Sequence, residues 1–353
     1  MFIRYCYITV VLLILPVICQ ERNTTYEVDI RDENHMIAKY IAVILSIIFL
    51  LYGIISNTLM TIVLFCRGKE NRYSHGFVLI AIQLIICNFM AFLPQMYLVL
   101  PEILQTESNS HENTKAWISI AFSTCKSFSL FVILHFSLLL AVNRFVALIL
   151  PKYNAIFEST RLYFITAFMW LILLALQTAD SYYCTRKFHV WNLCWARNCV
   201  KSNGVQLWLR IRDIWKLTIP NAMFVIYVAI FYSIHLQRRR ISATESETNG
   251  MDISHYEWSM LTQAVWYCGT MEIGIIINKY LPRIWNRYFE KNNNIPMRIF
   301  LNCYIIFICA LLPTIHFIYS EDSRDIIKHY LYHFLKLKIG RIKNMVTNQS
   351  FRT

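Results

Sequence analysis

Four ionisable side chains stand inside apolar stretches of this 353-residue sequence: Lys126, His135 and Arg144 in one stretch, Glu272 in another. An ionised group held away from water is costly unless it finds a partner, so each is a candidate for function before it is a candidate for packing. Lys126 and Arg144 are eighteen residues apart, which on a helix is ~27 Å along one face. If one points inward, so does the other. Arg144 closes its stretch in Asn143-Arg144-Phe145, ahead of Pro151-Lys152-Tyr153. A guanidinium there either meets a protein docked beneath the membrane or simply snorkels to the interface. Glu272 falls at a depth similar to that of Lys126, which suggests a pair. Such a pair is either a salt bridge that fixes helix packing or the polar end of a ligand cavity among aromatic side chains. His135, Asn57 and Asn88 suit hydrogen bonds between helices. The sequence has no HExxH, Gly-rich phosphate loop, nucleophile elbow or His/Cys cluster at metal spacing, so neither catalysis, a cofactor nor a metal is expected.

The elements that must position these residues are membrane helices. Hydrophobic residues make up 57% of the chain and charged ones only 16%, against about 25% charged in soluble domains. The net charge of +13 is scattered between apolar spans and forms no continuous stripe. That pattern argues against nucleic acid and for anionic lipid headgroups as the partner. Seven spans are expected near 41–66, 77–100, 116–142, 161–179, 214–236, 258–280 and 297–319, each long enough to cross a bilayer. Pro94, Pro220 and Pro313 fall inside them and are expected to mark kinks. The fold class is therefore all-α, a seven-helix membrane bundle, with one membrane domain over 41–319.

Residues 1–19 read as a cleaved signal peptide or, if uncleaved, an anchor: Arg4 precedes the apolar run Ile8 to Ile18, with Val17 and Cys19 at the small-residue positions. Residues 20–40 follow as a polar external segment carrying the sequon Asn23-Thr24-Thr25, a glycosylation site that works only on the lumenal side. An odd number of crossings then leaves 320–353 in the cytoplasm, where Ile326, Ile327, Tyr330, Leu331, Phe334 and Leu335 form one face of an amphipathic surface helix. Arg67, Lys69 and Arg72 after the first span agree with this orientation. Arg186, Lys187, Arg197, Lys201, Arg210 and Arg212 in one external loop, and Arg283, Arg287, Lys291 and Arg298 in another, do not. Cys184, Cys194 and Cys199 share one polar segment, so one bridge among them leaves one thiol over.

Asn143-Arg144-Phe145-Val146-Ala147 running into Pro151-Lys152-Tyr153-Asn154-Ala155-Ile156-Phe157 resembles the NRxxA and PxKYxxIF pattern of the nematode serpentine chemoreceptors of class X. Gly53 and Asn57 in the first span and Ser74-His75-Gly76 entering the second add to the resemblance, which covers roughly 41–335. It implies a G-protein-coupled receptor for a small-molecule cue, N-terminus outside, in the plasma membrane of a sensory cell. On that pattern Asn143, Arg144 and Phe145 face a heterotrimeric G protein, and Pro151 and Tyr153 belong to the second intracellular loop. Asn143 stands where rhodopsin-like receptors have an acid, and Leu312-Pro313-Thr314-Ile315-His316 keeps only the proline of their NPxxY. Ser119 occupies the position of their extracellular cysteine. The resemblance therefore implies a bridge within the loop, such as Cys184 to Cys199, with Cys194 in competition. The alternative from another class is a ligand-gated channel or transporter. Against it, the chain shows no inverted repeat, no pair of interrupted helices and no ring of like charges.

Overall fold

The computed structural model describes residues 30, 35–65, 74–105, 112–158, 160–190, 193–242, 250–288, 294–321, 323–330, 332 and 336. The leader, Asn23 and most of the tail lie outside them. Seven long helices dominate: α1 (Met36–Phe65), α2 (His75–Leu104), α3 (Glu112–Ile149), α4 (Arg161–Tyr183), α5 (Asn203–Ser242), α6 (Gly250–Tyr288) and α7 (Ile295–Tyr319). Six of them are long and apolar enough to cross a membrane. That count is of the described residues; α6 is 39 residues long and carries Glu272 within its apolar part. α1 packs on α2 and α7, α2 on α3, α3 on α4 and α5, α5 on α6, and α6 on α7, which closes a ring.

Lipid-facing and protein-facing residues separate cleanly. On α1, Ile37, Ile41, Ile44, Ile48, Leu51 and Ile55 are exposed, whereas Ala42, Val43, Leu50, Gly53, Asn57 and Met60 are buried. An exposed isoleucine stripe of that length belongs against acyl chains, not water. The inward faces form two layers. One runs through the middle of the bundle and includes Phe92, Phe136, Leu140, Met223 and Tyr267. The other closes one end and includes Val43, Val99, Phe188, Leu193 and Ile299. Because lipid is as apolar as leucine, helices here are held by close approach and polar contacts. At Gly53 a Cβ would fall 2.6 Å from the Phe92 ring, so α1 and α2 need that glycine. Asn57 donates to the Cys309 carbonyl (3.1 Å) and accepts from Asn88 (2.9 Å), joining α1, α2 and α7 at one amide.

Pro94 has a visible consequence. The ladder of α2 widens directly after it into a π-helical turn, Gln95–Val99, where the Leu100 amide donates to the Gln95 carbonyl. Proline removes a donor and crowds the preceding turn, and the wider turn absorbs both defects. Pro220 and Pro313 lie within helices assigned without a break.

The all-α expectation needs one addition. Between α4 and α5 the chain forms an antiparallel hairpin of β1 (Cys184–His189) and β2 (Cys194–Cys199), paired from Cys184 opposite Cys199 to His189 opposite Cys194. Its open end is tied by a Cys184–Cys199 disulfide, with Cys194 outside the bridge. Its turn is pinned to the bundle. Leu193 takes a φ of 50°, a conformation that costs about 1–3 kcal/mol in a non-glycine residue. Its side chain is buried, and its carbonyl accepts from Asn302 of α7 at 2.9 Å. Ser119 Oγ of α3 accepts from the Phe188 amide at 3.4 Å. The helices also outrun the expected spans, most of all α5 and α6. An apolar run marks the part of a helix that lies in lipid, while the helix continues into water wherever its residues permit.

Past α7, residues 323–330 are helical. Arg324 donates to the Phe317 and Ile318 carbonyls (3.1 and 2.6 Å), satisfying the end of α7. Ile326 and Ile327 are half-buried while Asp325 and Lys328 are exposed and paired at 2.9 Å. The face expected to continue through Phe334 and Leu335 lies outside the described residues.

Candidate functional site

The hairpin roofs a cavity of about 430 Å³ enclosed by α3, α5, α6 and α7. Its depth follows from helix direction. α3 enters at the hairpin, so Ser123 and Lys126 lie near the roof and Leu130 and Leu134 lie one and two turns deeper. α7 also starts at the hairpin and gives Arg298 and Asn302 above, Ile305 and Ile308 below. α6 runs the other way and gives Met271 and Ile275 below, Lys279 at the rim. The result is a polar upper half over an apolar floor.

Lys126 is buried to 5% exposure. Its ammonium lies 4.0 Å from the centre of the Trp195 ring, a cation–π contact with the hairpin. Among the described residues its Nζ has no hydrogen-bond partner, and neither has Ser123 Oγ, one turn earlier on the same face. The Trp195 indole is held in turn by Asn302 Oδ1 at 3.4 Å and by Phe188, whose ring centre is 4.8 Å away.

Glu272 does not join Lys126. Among the described residues no salt bridge links them, and Glu272 Oε1 is buried without a hydrogen-bond partner. The reason is helical phase. Met271, Gly274, Ile275 and Asn278 present one face of α6 to the cavity, and Glu272, a turn of about 100° from Met271, leaves that face. Depth differs as well: Glu272 adjoins Met271 at the cavity floor, while Lys126 lies near the roof. The expectation that Glu272 lines the ligand site is corrected accordingly.

A buried ionic cluster that the sequence did not disclose braces the hairpin. Asp180, near the end of α4, accepts from Arg186 of β1 and Arg212 of α5 and from the Trp208 indole at 3.3 Å. All three ionised groups are largely buried, with side-chain exposures of 5% for Asp180, 13% for Arg186 and 6% for Arg212. Burial works against the charge of Arg186, lowering its pKa, while Asp180 works to keep it ionised. The one signal in sequence was the excess of basic residues in this loop, which did not single out Asp180.

The other end of α3 is closed. Arg144 is 9% exposed, and its guanidinium carbon lies 5.6 Å from the centre of the Phe77 ring of α2. It is within electrostatic range of Tyr227 of α5 and Cys268 of α6. The guanidinium therefore turns into the bundle and does not snorkel outward. Asn143 is buried beside it, at the point where Gly76 lets α2 approach: a Cβ on Gly76 would lie 2.8 Å from Asn143 Nδ2 and 2.9 Å from the Phe157 carbonyl. Phe145 packs against the core, while Pro151 and Tyr153 are exposed in the 3-10 turn that follows.

Between these ends, α3 carries two polar links to its neighbours. His135 Nδ1 is 2.8 Å from the Phe131 carbonyl, and Nε2 accepts from the Trp215 indole at 2.8 Å. That arrangement is satisfied by a neutral ring protonated on Nδ1. Ser137 bonds the Tyr267 hydroxyl of α6 at 2.8 Å. Among the described residues no group of His, Cys, Asp or Glu side chains is placed to hold a metal ion.

Comparison with curated proteins finds no match. The model of the serpentine type 7TM GPCR chemoreceptor Srx matches residues 47–289, from within α1 to the end of α6. That is well over half of the chain, and it takes in the roofed cavity's α3, α5 and α6 walls and the closed end at Arg144. The chain is a multi-pass membrane protein that belongs to the Srx family of serpentine seven-helix chemoreceptors.

Proposed function

We propose that this chemoreceptor binds a small-molecule cue in the cavity beneath the hairpin and passes the signal to a heterotrimeric G protein at the opposite end. The observation that carries the reading is the pair of orphaned donors, Ser123 Oγ and Lys126 Nζ, facing a cavity large enough for a ligand. Buried polar groups are rarely left without partners, and those that are point to a missing one. The hairpin end faces outside the cell in this reading. The protein sits in the plasma membrane with residues 1–19 removed as a signal peptide, Asn23 glycosylated in the external 20–40 segment, and 320–353 in the cytoplasm. The transmission element is α3, which carries Lys126 under the roof and Arg144 at the far end.

Arg144, packed among α2, α5 and α6, is out of a G protein's reach while those helix ends stay together. Signalling then consists of a shift between this closed arrangement and one in which the ends part and expose Asn143, Arg144 and Phe145, with Pro151 and Tyr153 already at the surface. A ligand drives that shift only by binding the open arrangement more tightly.

In cells expressing the receptor with a G-protein reporter, Arg144→Ala is expected to abolish the response to an activating cue while leaving surface expression intact. Unchanged coupling in that variant removes Arg144 from the mechanism. Ligand-gated current that persists in cells lacking functional G proteins overturns the receptor reading altogether.

A further inference from the structure

We infer that the cue is an organic anion, with its charged group held beneath the hairpin and an apolar portion directed toward the middle of the bundle. The inference rests on reading this cavity as the ligand site, and it comes from the balance of charge in the walls. Six cationic side chains line the cavity: Lys126, Arg186, Arg197, Lys216, Lys279 and Arg298. One acid lines it, Asp213, whose salt bridge is to Arg212 at 3.9 Å. Arg186 is neutralised by Asp180. Lys126, Lys216, Lys279 and Arg298 have no carboxylate within salt-bridge distance among the described residues. Arg298 Nε is also buried without a hydrogen-bond partner.

Such an accumulation repels itself and is expensive to desolvate. A single anion bound among these groups relieves both costs through charge-assisted hydrogen bonds. Ser123 and Lys126 supply donors from α3 and Arg298 from α7, so the anionic group is gripped from two walls. Beneath Lys126 the lining becomes apolar, with Leu130, Leu134, Met271, Ile275, Ile305 and Ile308. Lys126 and Leu134 are two turns apart, ~12 Å along the helix, which sets the reach of the apolar part. A cation meets four basic groups here with no carboxylate in salt-bridge reach, and a neutral alcohol supplies them no counter-charge. Carboxylate and phosphate share the required chemistry.

The test uses the purified full-length receptor and four eight-carbon probes of matched tail: octanoate, octyl phosphate, octanol and octylammonium. Thermal unfolding is followed at equal probe concentrations, since a ligand that binds only the folded state raises the midpoint with concentration. Octanoate or octyl phosphate is expected to raise the midpoint, and the larger of the two shifts tells which headgroup the site prefers. Octanol and octylammonium are expected to leave it unmoved. Lys126→Gln is expected to abolish the anion shift and to raise the midpoint of the unliganded protein, because it removes a buried charge that lacks a counter-ion. If that variant does not fold, Arg298→Gln is expected to reduce the anion shift in the same way. Equal shifts from octanol and octylammonium, no shift from either anion, or an undiminished anion shift in a folded variant overturns the inference. A receptor that signals through a G protein to a neutral cue also overturns it while leaving the proposed function standing. Anion binding without coupling does the reverse.

Discussion

Asp180 shows how far one side chain can organise the outer part of the bundle. It holds Arg186 of β1 and Arg212 of α5 at once, and it is itself supplied by α4. Removing one partner of a buried ion pair leaves the others charged and desolvated, at a cost of about 3–5 kcal/mol. Asp180→Ala is therefore expected to lower the unfolding midpoint of the purified receptor clearly, with Asp180→Asn intermediate because it keeps the shape and one acceptor. An unchanged midpoint in the alanine variant would show that water already compensates the two guanidinium groups. Sequence gave little hint of this cluster. Asp180 falls one position beyond the expected fourth span, and its partners are 6 and 32 residues away on different elements. Lys126 was visible for the opposite reason, as a lone cation in an apolar stretch. Glu272 was equally visible, but counting residues along an apolar run gives neither the exact depth at which a helix sits nor its phase, and both separate it from Lys126.

At the scale of elements, the hairpin is what makes a cavity out of an open bundle. It is fastened at its base by the disulfide, at Phe188 by Ser119, and at its turn by Asn302. The bridge closes a loop with a sequence separation of 15, which in chain-entropy terms is worth about 3 kcal/mol. The double variant Cys184→Ser with Cys199→Ser is expected to lower the midpoint by less than the full entropic value, because the other two fastenings remain. It should weaken cue response more than stability, since the roof carrying Trp195 loosens over Lys126. Wild-type potency in the double variant, measured as a dose–response curve, would refute a roofing role for the bridge. The helices were legible because membrane crossing requires a long apolar run, which six of the seven show among the described residues. Their ends were not legible, because α5 and α6 extend past the apolar part in residues that tolerate either helix or coil. The hairpin itself was hidden in a polar segment whose cysteines signalled a bridge without revealing strands.

For the whole molecule, part of the orientation conflict in the sequence has a structural explanation. Of the basic residues that oppose a cytoplasmic excess, Arg186, Arg212 and Arg298 line the cavity or face Asp180. A cation committed to the interior does not report on the membrane surface, so it carries no weight in the positive-inside balance. Lys187, Arg197, Lys201, Arg210, Arg283 and Arg287 are exposed and still oppose that excess, while the first-span flank of Arg67, Lys69 and Arg72 and the N-terminal leader support the proposed orientation, with the hairpin end outside. Seven crossings put the two ends of the chain on opposite sides, and the sequence carries a sequon near each: Asn23-Thr24-Thr25 and Asn348-Gln349-Ser350. Oligosaccharide is added only on the lumenal side. Enzymatic removal of N-glycans from the expressed receptor should therefore increase its gel mobility, and Asn23→Gln should eliminate that change while Asn348→Gln leaves it intact. Modification at Asn348 would invert the topology and place the Lys126 cavity on the cytoplasmic side, where an external cue cannot reach it. Modification at both sites would mean an even number of crossings and overturn the seven-span count.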